Sequence, residues 1–280
     1  RDAAQSRAER LGCTPYDALM DQFTPGLRTD MVDTLFDRLG RELPDLLSEI
    51  LEHQAAQPEA VSPAGPFPLE QQRALGTRLM AVVGFDFETG RLDESLHPFS
   101  GGTPDDLRIT TRYEADDFMT GLMGVLHETG HALYEKNLPS DWRRQPVGAA
   151  RGMDIHESQS LLIEMQACRS LEFLTFASPL MQEIFERVGP EWATDNLYRV
   201  YTKVRPGLIR VDADEVTYPL HVILRYRLEK ALLADDLPLD DLPSAWNDGM
   251  AELLNQTPPD DRDGCLQDIH WFDGAFGYFP

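Results

Sequence analysis

The 280-residue chain has no long apolar run; stretches such as Leu161–Ile163 are broken by charge within a turn. A membrane-spanning helix needs roughly 20 consecutive apolar residues, so no membrane role is expected. Positive charge is equally scarce, with 25 Lys and Arg against 48 Asp and Glu, a net charge of −23. Phosphate backbones are bound by basic stripes, so nucleic acid is excluded as a partner. Only Lys136, Lys203 and Lys230 are lysines, which leaves arginine to carry the positive charge. Cysteine is sparse too. Cys13, Cys168 and Cys265 are odd in number, far apart and without CxxC spacing. They suit neither a disulfide framework nor a thiolate zinc site, and predict three free thiols in a reducing compartment. The first ten residues lack the apolar core of a signal peptide. Together these absences predict a soluble, cytoplasmic protein.

The apolar residues that are present recur at helical spacing. Val32, Leu35, Phe36, Leu39, Leu43, Leu46, Leu47 and Ile50 mark an amphipathic helix over Met31–Gln54, with a break expected near Pro44. Further helices are predicted over Leu69–Val83, Glu114–Asn137, Ile155–Phe176, Glu191–Val204, Asp214–Leu233 and Ser244–Asn255. Pro58–Pro68 holds four prolines and a glycine and reads as a loop inside one helical domain. Phe85–Thr111 is too rich in Gly and Pro for a long helix, and Leu107–Arg112 alternates like a short strand.

Within the predicted helix 114–137 lies His127-Glu128-Thr129-Gly130-His131, an HExxH segment. Residues four apart share a helical face, so both imidazoles can reach one ion. Zinc accepts neutral imidazole nitrogens and, in catalytic sites, leaves one position for water. Glu128 is rotated off the ligand face yet near enough to take a proton from that water. Position 134 is Tyr134 and position 137 is Asn137, so the extended HExxHxxGxxH pattern is absent. A glutamate from a second helix is the usual alternative third ligand. The segment Asp154–Ser160 contains His156 and Glu157. Neighbours on a helix point about 100° apart, so the two would not both ligate. On spacing alone Glu157 is one choice, with Glu135 and Glu164 also open.

Six ordered motifs resemble the carboxypeptidase Taq family of metallocarboxypeptidases. They are His97-Pro98-Phe99, Asp106–Thr110, His127–His131, His156-Glu157-Ser158-Gln159, Ile209–Asp214 and Gly264–Trp271. The stretch from Tyr16 to Gly26 is similar to the family as well. The resemblance implies an all-α fold with a substrate groove, similar to the neurolysin and angiotensin-converting-enzyme architecture, with residues 1–280 forming a single helical catalytic domain. It implies removal of single residues from peptide C-termini, Glu157 as the third metal ligand, zinc (Zn2+) replaceable by cobalt (Co2+), and a homodimer. Family members are longer, so the chain resembles a piece without an N-terminal and a C-terminal helical segment.

The chemistry then asks for further groups. Metal-activated water needs Glu128 as general base. A developing oxyanion needs a donor, for which Tyr218 and His221 are the candidates, with His270 and His97 behind them. A terminal carboxylate is best received by an arginine fork, and Arg210 is the first choice, followed by Arg108 and Arg225. Arg108 is equally suited to a structural pair with Asp106 or Asp116. Two other readings use the same site: an oligopeptidase or dipeptidyl carboxypeptidase, and a metal-binding protein without turnover.

Overall fold

The computed structural model describes residues 1–96 and 98–278, apart from the side chain of Trp271. His97 therefore lies outside the described residues. The helices are α1 (Asp2–Leu11), α2 (Pro15–Phe23), α3 (Thr29–Ala55), α4 (Leu69–Val82), α5 (Phe118–Lys136), α6 (Met153–Leu161), α7 (Leu171–Phe185), α8 (Thr194–Tyr201), α9 (Tyr218–Ala234), α10 (Leu242–Leu254) and α11 (His270–Asp273). Three strands accompany them: β1 (Gly90–Glu94), β2 (Phe99–Thr103) and β3 (Asp106–Thr111). The protein is thus mostly helical, with one small sheet. Among the described residues no helix is long and apolar enough to cross a membrane.

The chain divides into two compact units. One comprises Arg1–Pro58, Gly152–Asp154 and the described residues from Lys203 onward; the other comprises Glu59–Arg151 and Ile155–Thr202. The first crossing falls at the start of the proline-rich stretch.

In the first unit, α3 packs against α9 and α10. Leu47, Leu220, Ile223, Leu224, Trp246 and Met250 form its core, with Leu39, Leu43 and Ile50 packed against it. The helix runs through Pro44 rather than ending there. A helix-interior proline costs about 3 kcal/mol. Each buried leucine or isoleucine contributes roughly 1.5–3 kcal/mol, so the apolar stripe outweighs the proline. α2 starts at a capping box, where Thr14 Oγ1 accepts from Asp17 N–H and Asp17 accepts from Thr14 N–H. Asp17 also accepts the Thr29 N–H at 2.7 Å, which ties α2 to the start of α3.

Two of the sequence motifs meet in this unit. Gln267 accepts the Arg210 N–H at 2.8 Å and donates to the Leu208 carbonyl at 2.7 Å. Arg225 is 1% exposed and lies 3.3 Å from both Glu229 and Asp268. Tyr16 O–H and Gly277 N–H each donate to Glu229 Oε2 at 2.7 Å. Burial pushes the Glu229 carboxyl up, against the pull of Arg225. Burial also opposes the Asp268 charge, yet His270, Arg225 and Arg210 hold this carboxyl well below the usual range.

In the second unit, Phe67, Phe118, Phe185 and Trp192 form an aromatic cluster among Leu75, Leu79, Leu122 and Leu126. The Phe67 and Phe118 rings meet edge-on at 4.8 Å. β3 is the central strand, parallel to β1 and antiparallel to β2. Its Leu107 and Ile109 are buried with Val125 of α5, Met80 and Phe85, while Asp106 and Arg108 face out. α5 begins four residues later than its apolar pattern predicts, because Asp117 caps it by accepting from Met119 and Thr120 N–H. The predicted helix over 155–176 is two. α6 passes into a π-helical turn at Leu162–Ala167, and Ser170 then caps α7 by accepting from Phe173 N–H at 3.2 Å.

Candidate metal centre

α5 and α6 bring three ligand groups together in the second unit. His127, His131 and Glu157 each offer one donor atom, and these atoms lie within 4.8 Å of one another. Glu157 Oε2 stands 3.2 Å from His131 Nε2, and Oε1 stands 3.7 Å from His127 Nε2. Bonds of about 2.0–2.1 Å in tetrahedral array would separate donors by roughly 3.4 Å. The two Glu157 contacts bracket that separation, and the nitrogen and carboxylate donors suit zinc. The Glu135 and Glu164 alternatives are elsewhere, each on the far side of an imidazole.

The approach of α6 to α5 depends on Gly130. A Cβ at this position would sit 2.5 Å from the Gln159 carbonyl oxygen and 2.5 Å from the Ser160 Cα. Both are backbone atoms, so only glycine lets the two helices come this close. Within α5, Thr129 is fully buried and returns its hydroxyl to the Val125 carbonyl at 2.7 Å.

Each histidine is also held from behind. His127 Nδ1 meets Glu164 Oε2 at 2.9 Å, and Glu164 Oε1 accepts from Arg169. Since a carboxylate only accepts, His127 carries its proton on Nδ1 and leaves Nε2 for a cation. Glu164 follows Glu157 by seven residues, and the carboxylates of both face His127. It sits in the π-helical turn, a feature that recurs at functional sites. Burial works against the charged form of His127, but Glu164, Glu157 and Glu128 together outweigh it and raise its pKa. Burial likewise opposes the Glu157 charge, and the neighbouring His131 and His127 reverse this and lower its pKa. The field that favours imidazolium here would also favour a dication.

Glu128 is buried on α5 beside these ligands and is among the charges that act on His127. The other predicted residues that the structure describes lie within their own units. Arg108 is exposed on β3 and pairs with Asp106 through Nε at 2.6 Å and Nη2 at 2.9 Å. Arg210, Tyr218, His221 and His270 belong to the first unit. There Arg210 Nη1 meets the Tyr218 hydroxyl at 3.3 Å, and its guanidinium lies 5.9 Å from that ring. His270 is engaged by Asp268 and Arg225. His221 is 1% exposed, and its contact to the Gly207 backbone falls short of hydrogen-bond geometry.

The family model for the carboxypeptidase Taq (M32) metallopeptidases matches residues 1–280. The chain belongs to this family. Among curated M32 relatives, Thermostable carboxypeptidase 1 of Thermus thermophilus is 42% identical over 266 residues, 95% of this chain and 52% of that one. Carboxypeptidase 1 of Bacillus subtilis is 39% identical over 267 residues, 95% of this chain and 53% of that one. Among solved M32 structures, a metallocarboxypeptidase 1 from Trypanosoma cruzi has a TM-score of 0.97 at 45% identity, covering 100% of this chain and 58% of its own. An M32 carboxypeptidase from Deinococcus radiodurans has a TM-score of 0.88 at 35% identity, covering 95% and 53%. This chain thus spans about half the length of the M32 relatives it matches.

Sequence reasoning missed what surrounds His127, His131 and Glu157. Gly130 is inside the motif and was available as a helix-contact glycine. Glu135 and Glu164 were visible as acids on the right helices, but their distance from the ligands depends on how α5 and α6 cross.

Proposed function

We propose that this chain carries the zinc centre of a carboxypeptidase that releases single residues from peptide C-termini. The observation that supports this most is the convergence of His127, His131 and Glu157, in a chain of a metallopeptidase family. A bound zinc ion would supply Lewis acidity, polarising the scissile carbonyl and acidifying water. His127 and His131 would hold it through Nε2, and Glu157 through its carboxylate. Glu128 takes the proton from the attacking water and passes it to the leaving amine. Its burial keeps competing water from that carboxylate, and its position next to His127 in sequence puts it on the neighbouring helical face.

Of the remaining assignments, Arg210, Arg108, His97 and His270 lie in the family motifs, whereas Tyr218 and His221 rest on the chemical need for an oxyanion donor. Tyr218 and His221 are oxyanion donors, Arg210 and then Arg108 receive the substrate carboxylate, and His97 and His270 complete the substrate site. Burial and the charge of Arg210 bring the His221 pKa down to about 4, which suits a neutral donor rather than a proton carrier. Cobalt in place of zinc and a homodimer of the whole protein belong to the same reading.

The test is a blocked peptide incubated with the zinc-loaded chain and followed by mass spectrometry. The expected result is a ladder of single-residue losses from the C-terminus that stops on adding a chelator. Release of dipeptides or internal fragments would replace the reading by an oligopeptidase. Bound zinc with no cleavage would replace it by a metal-binding chain without turnover.

A further inference from the structure

His156 adjoins the ligand Glu157 in sequence, yet it turns away from the donor set and toward the back of His131. Its Nδ1 lies 2.7 Å from His131 Nδ1, and its Nε2 lies 2.9 Å from Glu135 Oε1. The protons follow from the outer end. An ionised carboxylate only accepts, so His156 Nε2 carries hydrogen and donates to Glu135. The Nδ1 of a neutral His156 is then a lone pair, and the hydrogen between the two rings belongs to His131 Nδ1. With a cation between His131 and Glu157, that leaves the His131 Nε2 lone pair for the ion, at the atom that stands 3.2 Å from Glu157 Oε2. The hydrogen bonds thus run outward from the donor set through His131 and His156 to Glu135.

The two histidine ligands are therefore backed in different ways. His127 meets its carboxylate directly, whereas His131 reaches one through an intervening imidazole. Glu135 is four residues after His131 on α5, so both share one face, and His156 from α6 enters between them. The Tyr134 ring meets His156 edge-on at 4.9 Å and closes the remaining side. The arrangement links α5 to α6 at the ligand itself, beside the close approach at Gly130.

We propose that His156 is a positioning residue for the metal ligand His131, holding its ring orientation and its Nδ1–H tautomer and relaying the charge of Glu135 to it. The proposal rests on the reading of His127, His131 and Glu157 as the metal centre. Cobalt titration of the full 280-residue chain, read by visible absorption, tests both. The expected loss of cobalt affinity in His156→Phe is about 10–100-fold. His156→Gln should recover most of that loss, because its amide can donate to Glu135 while its carbonyl accepts from His131. Glu135→Leu, at the more exposed outer end, should lower affinity in the same direction by a smaller factor. In the zinc-loaded wild type, nitrogen-15 NMR should show the His131 proton on Nδ1 in a strong hydrogen bond, a signal that His156→Phe abolishes.

Wild-type affinity and an unchanged His131 signal in His156→Phe would overturn the proposal. A glutamine variant no better than phenylalanine would do the same, since it would reduce His156 to packing. If far-UV circular dichroism shows His156→Phe unfolded, Glu135→Leu decides, and wild-type affinity there overturns the relay. The underlying reading fails separately. Cobalt that does not bind the wild type, or binds His131→Ala equally well, removes the metal centre and the proposal with it.

Discussion

Gly130 of α5 and Ser160 of α6 approach so closely that a Cβ on the glycine would lie 2.5 Å from the Ser160 Cα. The glycine sits between Glu128 and His131, so the same five-residue segment that sets the spacing of the two histidines also sets the distance to the helix bearing Glu157. Gly130→Ala should gain about 1 kcal/mol in helix propensity. It should lose more than this, because the atoms it meets are backbone, and overpacking typically costs about 1–3 kcal/mol. The net expectation is a lowered unfolding midpoint and, because α6 must withdraw, weaker cobalt binding. An unchanged midpoint with wild-type cobalt affinity would show that the helices have room.

Glu128 and Glu157 should respond oppositely to substitution, although both are acids at one site. Glu128→Gln keeps the three ligands and removes the base. Zinc content should stay at the wild-type level, while hydrolysis falls by about 10²–10⁴-fold. Glu157→Ala removes a donor, so zinc should be lost at dilute concentration and activity with it. Metal analysis after gel filtration separates the two cases. Hydrolysis that survives Glu128→Gln would sink its role as base, and zinc retained in Glu157→Ala would sink the ligand assignment.

How much of this was legible in the sequence depends on which interaction decides each element. α4 and α10 follow their apolar periods to within a few residues, because burying an amphipathic face is a local pattern with a large reward. The shared face of His127 and His131 was legible for the same reason, since one helix fixes their geometry. β1 and β2 were not. In β1 only Leu92 is buried, and β2, Phe-Ser-Gly-Gly-Thr, buries no residue fully, so neither alternates visibly. Their hydrogen bonds to β3 make them strands, and that pairing is not local. The single predicted helix over 155–176 followed its apolar residues past Ser170, whose side chain caps a new helix. The partners of the histidines were unreadable, because Glu164 and His156 gain their roles only where α6 crosses α5.

His221 should give the protein an acid sensitivity well above the carboxylate range. Burial, aided by the charge of Arg210, lowers its pKa from 6.5 to about 4. Between these values the unfolded chain binds a proton at residue 221 that the folded chain refuses. Stability is therefore fully present above pH 6.5 and is lost as the pH falls from 6.5 through about 4, where the loss levels off. At about 1.4 kcal/mol per pH unit the full effect approaches about 3 kcal/mol. Asp268, held low, loses its contribution only below the ordinary carboxylate value, outside this window. Denaturant melts of wild type and His221→Phe at pH 7 and pH 4.5 should show a smaller acid loss in the variant. Equal losses would mean that His221 takes up its proton freely in the folded chain.

Arg225 is placed against both Glu229 and Asp268, at 3.3 Å from each, and all three are nearly inaccessible to water. Removing it leaves Glu229 buried without its cation and Asp268 dependent on His270 and Arg210, and losing one partner of a buried charge pair costs about 3–5 kcal/mol. Arg225→Met, which keeps the apolar stem, should therefore lower the melting temperature strongly at pH 7. Glu229 has a second means of support, since Tyr16 O–H and Gly277 N–H both donate to it. Burial already raises its pKa, so this carboxyl is the one that can take up a proton when the arginine is gone. Arg225→Met should consequently recover part of its stability when Glu229→Gln is added, because a neutral amide needs no counter-charge. Calorimetry of the two single variants and the double variant measures the coupling. Strictly additive losses would mean that Arg225 is held by packing and Asp268 alone, with no energetic link to Glu229.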